Sequence, residues 1–357
     1  MKTAIIGLPM VGKTSLFTIL TGAHQDTRLG STAARTGVAK VPDARLDALA
    51  RIFEPPKITY ASVEYVDLPA ISKENLRDPS YLAGLRVADA FAHVVRLFED
   101  ATVPHEKGSV DPLRDIDDVE TELVLSDLVV VEKRLERLEK ERKKIKNPEL
   151  DRESELLEKC RTTLEANQPL RQLELDAEGE KRIRGFQFLS QKPMLYVLNI
   201  GERDASRLHE IEGQYRGGPL KGRARMDFTA VCGKVEAEMA ELAPEEAREY
   251  LASYGLKESG LERLITASYR LLGLMSFLTA GETEVRAWTV PIASTAVKAA
   301  GAIHSDFEKK FIRAEVVNWK SLVDLSGYPG VREKGLLRLE GKEYIVKDGD
   351  VLVIRHG

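Results

Sequence analysis

The densest chemistry in the chain lies near its amino terminus, where Gly7-Leu8-Pro9-Met10-Val11-Gly12-Lys13-Thr14 fits the spacing GxxxxGK[ST]. In that pattern the glycines let backbone amides converge on phosphate oxygens at a helix start. Lys13 brings a point charge to the β- and γ-phosphates, and Thr14 offers a hydroxyl to Mg²⁺. The context fits as well: the apolar run Ala4-Ile5-Ile6 reads as a strand leading in, and Ser15 to Leu20 reads as an amphipathic helix leading out. Leu8, Pro9, Met10, Val11, Gly12, Lys13, Thr14 and Ser15 are therefore the expected phosphate-binding residues.

Phosphoryl chemistry also needs a carboxylate to hold the hydrated metal. Val63-Glu64-Tyr65-Val66-Asp67 reads as a strand ending in an acid, which makes Asp67 the expected metal residue with Thr14 and the expected catalytic partner of Lys13. The turn that follows is Asp67-Leu68-Pro69-Ala70, where GTPases of this class carry DxxG; Ala70 keeps the amide and loses positive-φ freedom. Ile71 stands where many such enzymes place a glutamine that orients water, and its side chain cannot do so, so slow intrinsic hydrolysis is expected. A base-reading loop is expected at Asn199-Ile200-Gly201-Glu202, the place of NKxD in a guanine-specific protein, with Cys232 and Gly233 completing the pocket. Guanine offers two donors to the aspartate of that motif. Glu202 is longer by one methylene and Ile200 replaces the lysine, which leaves ATP preferred and GTP open as an alternative.

These residues need a scaffold that brings them to one edge. From Met1 to about Leu113 short apolar runs alternate with amphipathic stretches, the βαβ rhythm of a parallel sheet covered by helices. The rhythm resumes at Met194 to Asn199 and at Phe228 to Val231, which implies an α/β nucleotide-binding domain over residues 1–113 and 185–278 with residues 114–184 inserted. Within the insertion, Val124, Leu128, Val131, Leu135, Leu138, Arg142 and Ile145 follow heptad spacing. Asn147-Pro148 breaks it, and Leu157, Cys160 and Leu164 restart it, predicting an antiparallel helical hairpin with a basic tip at Lys140 to Lys146. Strand-like alternation after Thr279 predicts a small α+β domain over 279–357.

Composition narrows the function classes. The chain has 357 residues with 43% hydrophobic and 31% charged, the proportions of a multidomain globular protein. Lys and Arg number 53 against 57 Asp and Glu, a net charge of −4, so global charge argues for no polyanionic partner and no DNA specificity is evident. Cys160 and Cys232 are the only cysteines and form no framework, which fits a reducing, cytoplasmic setting; no apolar run reaches a membrane-spanning length, so no membrane role is expected. His93 reads as a core histidine, Trp288 and Trp319 as packing residues of the small domain, and the remaining histidines lack metal-ligand spacing.

The segments GLPMVGKTSLF, TGVAKVPDARLDAL, HVVRLFED, NIGE, VEAEMAEL, FLTAGETEVRAWT, AAGAIHSDFEKKFIRAE and EGKEYIVKDGDV, in order over nearly the whole chain, resemble the Obg-like ATPase (YchF) family. The resemblance implies a domain of the P-loop GTPase class, an inserted helical coiled coil and a C-terminal ubiquitin-like (β-grasp, TGS) domain. It also implies Mg²⁺-dependent use of ATP, or of GTP, a hydrophobic residue in place of the water-orienting glutamine, and association with ribosomes through the hairpin and TGS domain, with rRNA as an open further contact. The chain departs from the family at Met10, where asparagine is usual, in the glycine-poor segment after Asp67, and in Leu29 to Gly37, which leaves Ser31 and Thr32 as competing hydroxyl ligands for Mg²⁺. The reading that follows is a slow Mg²⁺-dependent ATPase yielding ADP and phosphate, with a nucleotide-gated ribosome or RNA scaffold, or a GTP-preferring enzyme, as its rivals.

Overall fold

The computed structural model describes residues 1–22 and 34–357; Ser31 and Thr32 lie outside the described residues. In chain order the strands are β1 (Lys2–Ile6), β2 (Arg35–Lys40), β3 (Ile58–Thr59), β4 (Ser62–Asp67), β5 (Ala90–Arg96), β6 (Met194–Asn199), β7 (Met226–Val231), β8 (Leu274–Ala280), β9 (Val285–Pro291), β10 (Phe311–Asn318), β11 (Arg338–Glu340) and β12 (Asp350–His356). The first helices are α1 (Lys13–Thr21), α2 (Ala44–Phe53), α3 (Pro79–Arg86), α4 (Pro112–Arg142) and α5 (Pro148–Glu165). The chain divides into two compact units, Met1–Val38 with Glu64–Leu271, and Ala39–Val63 with Leu272–Gly357.

The first unit is built on a sheet of order β2-β4-β1-β5-β6-β7, in which β4, β1, β5, β6 and β7 run parallel. Every residue of β5 and β6 is buried, as expected of central strands covered on both faces. Parallel strands bring their carboxyl ends to a common edge, so Ile6, Asp67 and Asn199 finish on the side where an open α/β sheet binds its ligand. His93 on β5 is buried against Tyr196, and burial pulls its imidazole down to about 4, which keeps it neutral in the core.

In the insertion, Asn147 caps α5 by accepting from the Glu149 amide at 2.9 Å, with Pro148 at the first helical position. Val124, Val131, Leu135 and Leu138 of α4 share one buried cluster with Leu157, Cys160 and Leu164 of α5, and Leu128 packs partly buried beside them. The predicted seam stops at Leu138. Arg142 ends α4 and pairs with Asp151 at 2.6 Å, and Ile145 is 63% exposed because the chain turns at Asn147 before a facing helix is available. At the base, Glu120 of α4 is buried with Arg171 and accepts from the Tyr196 hydroxyl of β6 at 2.6 Å. Burial opposes ionisation of Glu120, but the Arg171 guanidinium and the Tyr196 hydroxyl outweigh it and hold the carboxyl below its usual range. Asp127, two helical turns further along, accepts from the Leu189 amide at 2.9 Å and the Ser190 amide at 2.7 Å.

The second unit carries a sheet of order β11-β10-β12-β8-β9-β3 around a core that includes Phe277, Val290, Phe311, Val316 and Leu352. Trp288 packs against this core and donates to Thr279 Oγ1 at 2.9 Å. This unit also contains residues 39–63, which the sequence reading assigned to the nucleotide-binding domain. The reason is pairing: β3 joins β9 in parallel through Ile58 opposite Val285, and Arg45 of α2 reaches Asp348 at 2.8 Å. A strand and helix in local alternation do not reveal which sheet will receive them.

The Glu120–Arg171 pair makes the hairpin base part of the sheet's core. Arg171→Ala leaves a buried carboxylate unpaired and is expected to lower the unfolding free energy by about 3–5 kcal/mol. Urea titration followed by circular dichroism checks it; a loss under about 1 kcal/mol would mean water reaches Glu120 freely.

Candidate functional site

The loop after β1 is shaped by two close approaches. Gly7 has φ +144, and a Cβ there would lie 2.6 Å from the Val94 carbonyl of β5. Gly12 has φ +98, and its Cβ would lie 2.6 Å from the Asn199 Nδ2 of β6. Only glycine lets this backbone lie so close to both strand ends. Met10 adopts φ +60, a left-handed conformation that favours asparagine among non-glycine residues, and its side chain is exposed. Leu8 and Val11 are buried, and Pro9, Met10, Thr14 and Ser15 are exposed.

Lys13 opens α1 and turns back over the loop, where its Nζ donates to the Leu8 carbonyl at 2.6 Å. The side chain is 8% exposed. Burial pulls its ammonium down to about 8, with Asp67 and then Glu106 opposing the shift by their charge. Asp67, at the end of β4, is 6% exposed. Its Oδ2 accepts from the Thr14 hydroxyl at 3.1 Å and from Arg35 Nη2 at 2.5 Å, while its Oδ1 is buried without a hydrogen-bond partner among the described residues. The sequence reading brought Thr14 and Asp67 together and gave Arg35 no role. The Ile71 amide donates to the Gly7 carbonyl at 3.1 Å and the side chain is buried, so this position is committed to the loop's seat; Ala70 keeps a negative φ.

Asn199 ties two loops together. Its Nδ2 donates to the Val11 carbonyl at 2.9 Å, and its Oδ1 accepts from the Gly233 amide at 3.1 Å. Ile200 is buried, with its amide on the Val231 carbonyl, and Cys232 is buried at the start of the helix Gly233–Ala240. Glu202 pairs with the Lys234 ammonium through Oε2, and its Oε1 accepts from the Tyr254 hydroxyl at 3.1 Å. These partners hold the carboxyl below its usual range, the Lys234 contact foremost. Tyr254 lies 52 residues beyond Glu202, and no motif spacing could have announced the contact.

Among the described residues no three His, Cys, Asp or Glu side chains converge on a metal position. Magnesium bound with a nucleotide does not need such a cluster, since it takes one or two protein oxygens and completes its octahedron with phosphate and water. The Thr14 hydroxyl beside a buried Asp67 oxygen that lacks a partner fits that requirement.

A family model described as a 50S ribosome-binding GTPase matches residues 2–134, and the model YchF-GTPase_C, described as a protein of unknown function, matches residues 274–357. The chain is 41% identical over 361 residues to the Ribosome-binding ATPase YchF of Haemophilus influenzae, covering 99% of this chain and 98% of the relative. It is 39% identical over 363 residues to the protein of the same name in Bacillus subtilis, covering 99% of both. The chain belongs to the YchF family of P-loop NTPases. A solved structure of the Schizosaccharomyces pombe YchF GTPase is similar with a TM-score of 0.85 at 29% identity, covering 99% of this chain and 97% of that one. The YchF likeness thus spans the phosphate loop, the insertion and the C-terminal unit alike, a P-loop α/β fold with a C-terminal domain.

In this YchF chain Asn199 holds the phosphate loop through backbone groups that have no other described partner. Asn199→Ala strands the Val11 carbonyl and the Gly233 amide, and is expected to cost about 1–3 kcal/mol of stability while weakening nucleotide binding. Urea unfolding with calorimetric titration checks both effects; unchanged affinity would show that the loop seats itself.

Proposed function

We propose that this chain binds ATP with Mg²⁺ at the loop around Lys13, hydrolyses it slowly to ADP and phosphate, and associates with the ribosome in the cytoplasm. The observation that carries the reading is the convergence of Lys13 and Thr14 on the buried, half-unpaired Asp67 carboxylate at the carboxyl edge of a parallel sheet. Leu8, Pro9, Met10, Val11 and Gly12 form the cradle, and the helix beginning at Lys13 and continuing through Thr14 and Ser15 points its amino end at the phosphates. Lys13 exchanges its bond to the Leu8 carbonyl for phosphate oxygens. Thr14 and Asp67 would hold Mg²⁺, with Ser31 and Thr32 as the two further candidates, and the bound ion supplies stabilisation of charge on the phosphate oxygens.

Base choice follows from Glu202. A guanine pocket needs a carboxylate that is free to accept two donors, and the Glu202 oxygens are engaged by Lys234 and Tyr254. With Ile200 buried in place of a lysine, nothing in this loop favours guanine over adenine. Ile200, Cys232 and Gly233 then shape the base end chiefly through backbone, and Asn199 through the side-chain amide that holds the loops together. Slow turnover follows from Ile71, whose side chain is buried and whose amide is spent on Gly7, so it orients no water.

Ribosome association rests on the names of the relatives and on the exposed basic tip of the hairpin, where Lys140, Lys144 and Lys146 stand clear of the core. Clustered lysines suit the phosphate backbone of rRNA. The second unit, TGS-like by resemblance, is the other contact proposed.

Calorimetry of wild type should give ATP affinity at least equal to that for GTP, and Lys13→Ala should abolish both with the fold intact. Because bound phosphate raises the Lys13 pKa, affinity is expected to be highest below about pH 8 and to fall by up to about tenfold per unit above it. A tenfold preference for GTP would favour the GTPase reading, and binding by Lys13→Ala would remove the phosphate-loop assignment. For the ribosome, reversing Lys140, Lys144 and Lys146 to glutamate should weaken co-sedimentation and spare ATP binding; unchanged co-sedimentation moves the contact to the second unit. Substitution at the tip is preferable to deleting the hairpin, since Glu120 and Asp127 at its base are tied into the sheet and the segment beside it.

A further inference from the structure

Arg35, the first residue of β2, lies within the segment Leu29 to Gly37 and reaches the Asp67 carboxylate, a contact no motif spacing announces. Its Nη2 lies 2.5 Å from Asp67 Oδ2, the oxygen that also accepts from Thr14, and its guanidinium carbon lies 5.5 Å from the centroid of the Phe17 ring on α1. The Arg35 side chain is 42% exposed, whereas that of Asp67 is 6% exposed. A buried carboxylate read as a magnesium ligand is therefore already neutralised by a cation tethered to the chain.

The pair cannot survive metal binding unchanged. A divalent ion on Asp67 needs oxygen ligands in near-octahedral array, and a guanidinium donating to the same oxygen would be a like charge within a few ångströms of it. Its exposure lets Arg35 leave when a divalent ion takes over the charge of Asp67, because a half-exposed guanidinium regains water as the bond breaks and the buried carboxylate is not left unpaired. In the metal-free protein the same guanidinium has the opposite effect. Phosphates drawn to Lys13 also approach Asp67, and a carboxylate covered by Arg35 repels them less than a bare one.

Resting on the reading of this loop as a magnesium–nucleotide site, we propose that Arg35 is a resident cation of the metal site. It covers Asp67 while no divalent ion is bound and is displaced when one binds, so it weakens Mg²⁺ binding and preserves nucleotide binding without metal. Arg35 thereby sets how strongly nucleotide affinity depends on Mg²⁺, and it is a positioning residue that acts through Asp67.

The test is equilibrium binding of a fluorescent ADP analogue, read without turnover, in EDTA and across a Mg²⁺ titration. The measured quantity is the ratio of Kd in EDTA to Kd in saturating Mg²⁺. Arg35→Ala should raise that ratio about tenfold, the size of one charge-assisted hydrogen bond, and lower the Mg²⁺ concentration for half-maximal tightening. Arg35→Lys, which keeps the charge and loses the planar fork, should fall between. In an Asp67→Asn background, Arg35→Ala should leave the ratio unchanged. If Arg35→Ala weakens binding equally with and without metal, or leaves both unchanged, Arg35 only supports β2 and the proposal fails while the nucleotide reading stands. Failure of wild type to bind the analogue in either condition would instead overturn the nucleotide reading.

Discussion

Two hydrogen bonds from one amide, Asn199 to the Val11 carbonyl and from the Gly233 amide, fix where the phosphate loop can lie. They act at the end of a strand buried along its full length, so the anchor is seated in the core. The loop must then pass within contact of β5 and β6, which is why Gly7 and Gly12 take conformations that exclude a side chain. Lys13 and Thr14 point where they do because the helix begins immediately after that constraint. Asn199 is therefore a structural keystone of the phosphate loop.

Two buried carboxylates near this anchor differ in their cations: that of Glu120 is buried with it, and that of Asp67 is half-exposed. At the hairpin base Glu120 pairs with Arg171 and Tyr196 in the core and holds the insertion to the sheet, with Glu120 Oε2 and Arg171 Nε left without a partner among the described residues. At the loop, Lys13 is desolvated and leans on a carbonyl, while Asp67 keeps one buried oxygen without a partner. A site that awaits a polyanion and a cation is expected to be incomplete in this way, since preorganised partners that are already saturated have nothing to offer a ligand.

The base loop makes the same point in reverse. Glu202 stands where a carboxylate could read guanine, yet each of its oxygens already accepts a bond, from Lys234 and from Tyr254. One methylene of extra length matters less than these two neighbours, because an acceptor already bonded to a cation gains little from a weaker donor.

What the sequence by itself determined was the local pattern: the spacing of the phosphate loop, Asp67 at a strand end, Asn199 at the end of another strand and the hairpin broken at Asn147-Pro148. Each depends on residues within a few positions of one another, where backbone geometry and periodicity are fully expressed. Family membership was also readable, because the matching segments run the length of the chain. The tertiary structure alone decided that Arg35 covers Asp67, that Tyr254 and Lys234 engage Glu202, that Glu120 meets Arg171, and that residues 39–63 group with the C-terminal unit, β3 on its sheet. Each of these joins residues 32 to more than 200 positions apart, as with Arg35 to Asp67 and Ile58 to Val285. Such pairings are chosen by packing of whole elements, and local pattern carries no record of which distant partner will arrive.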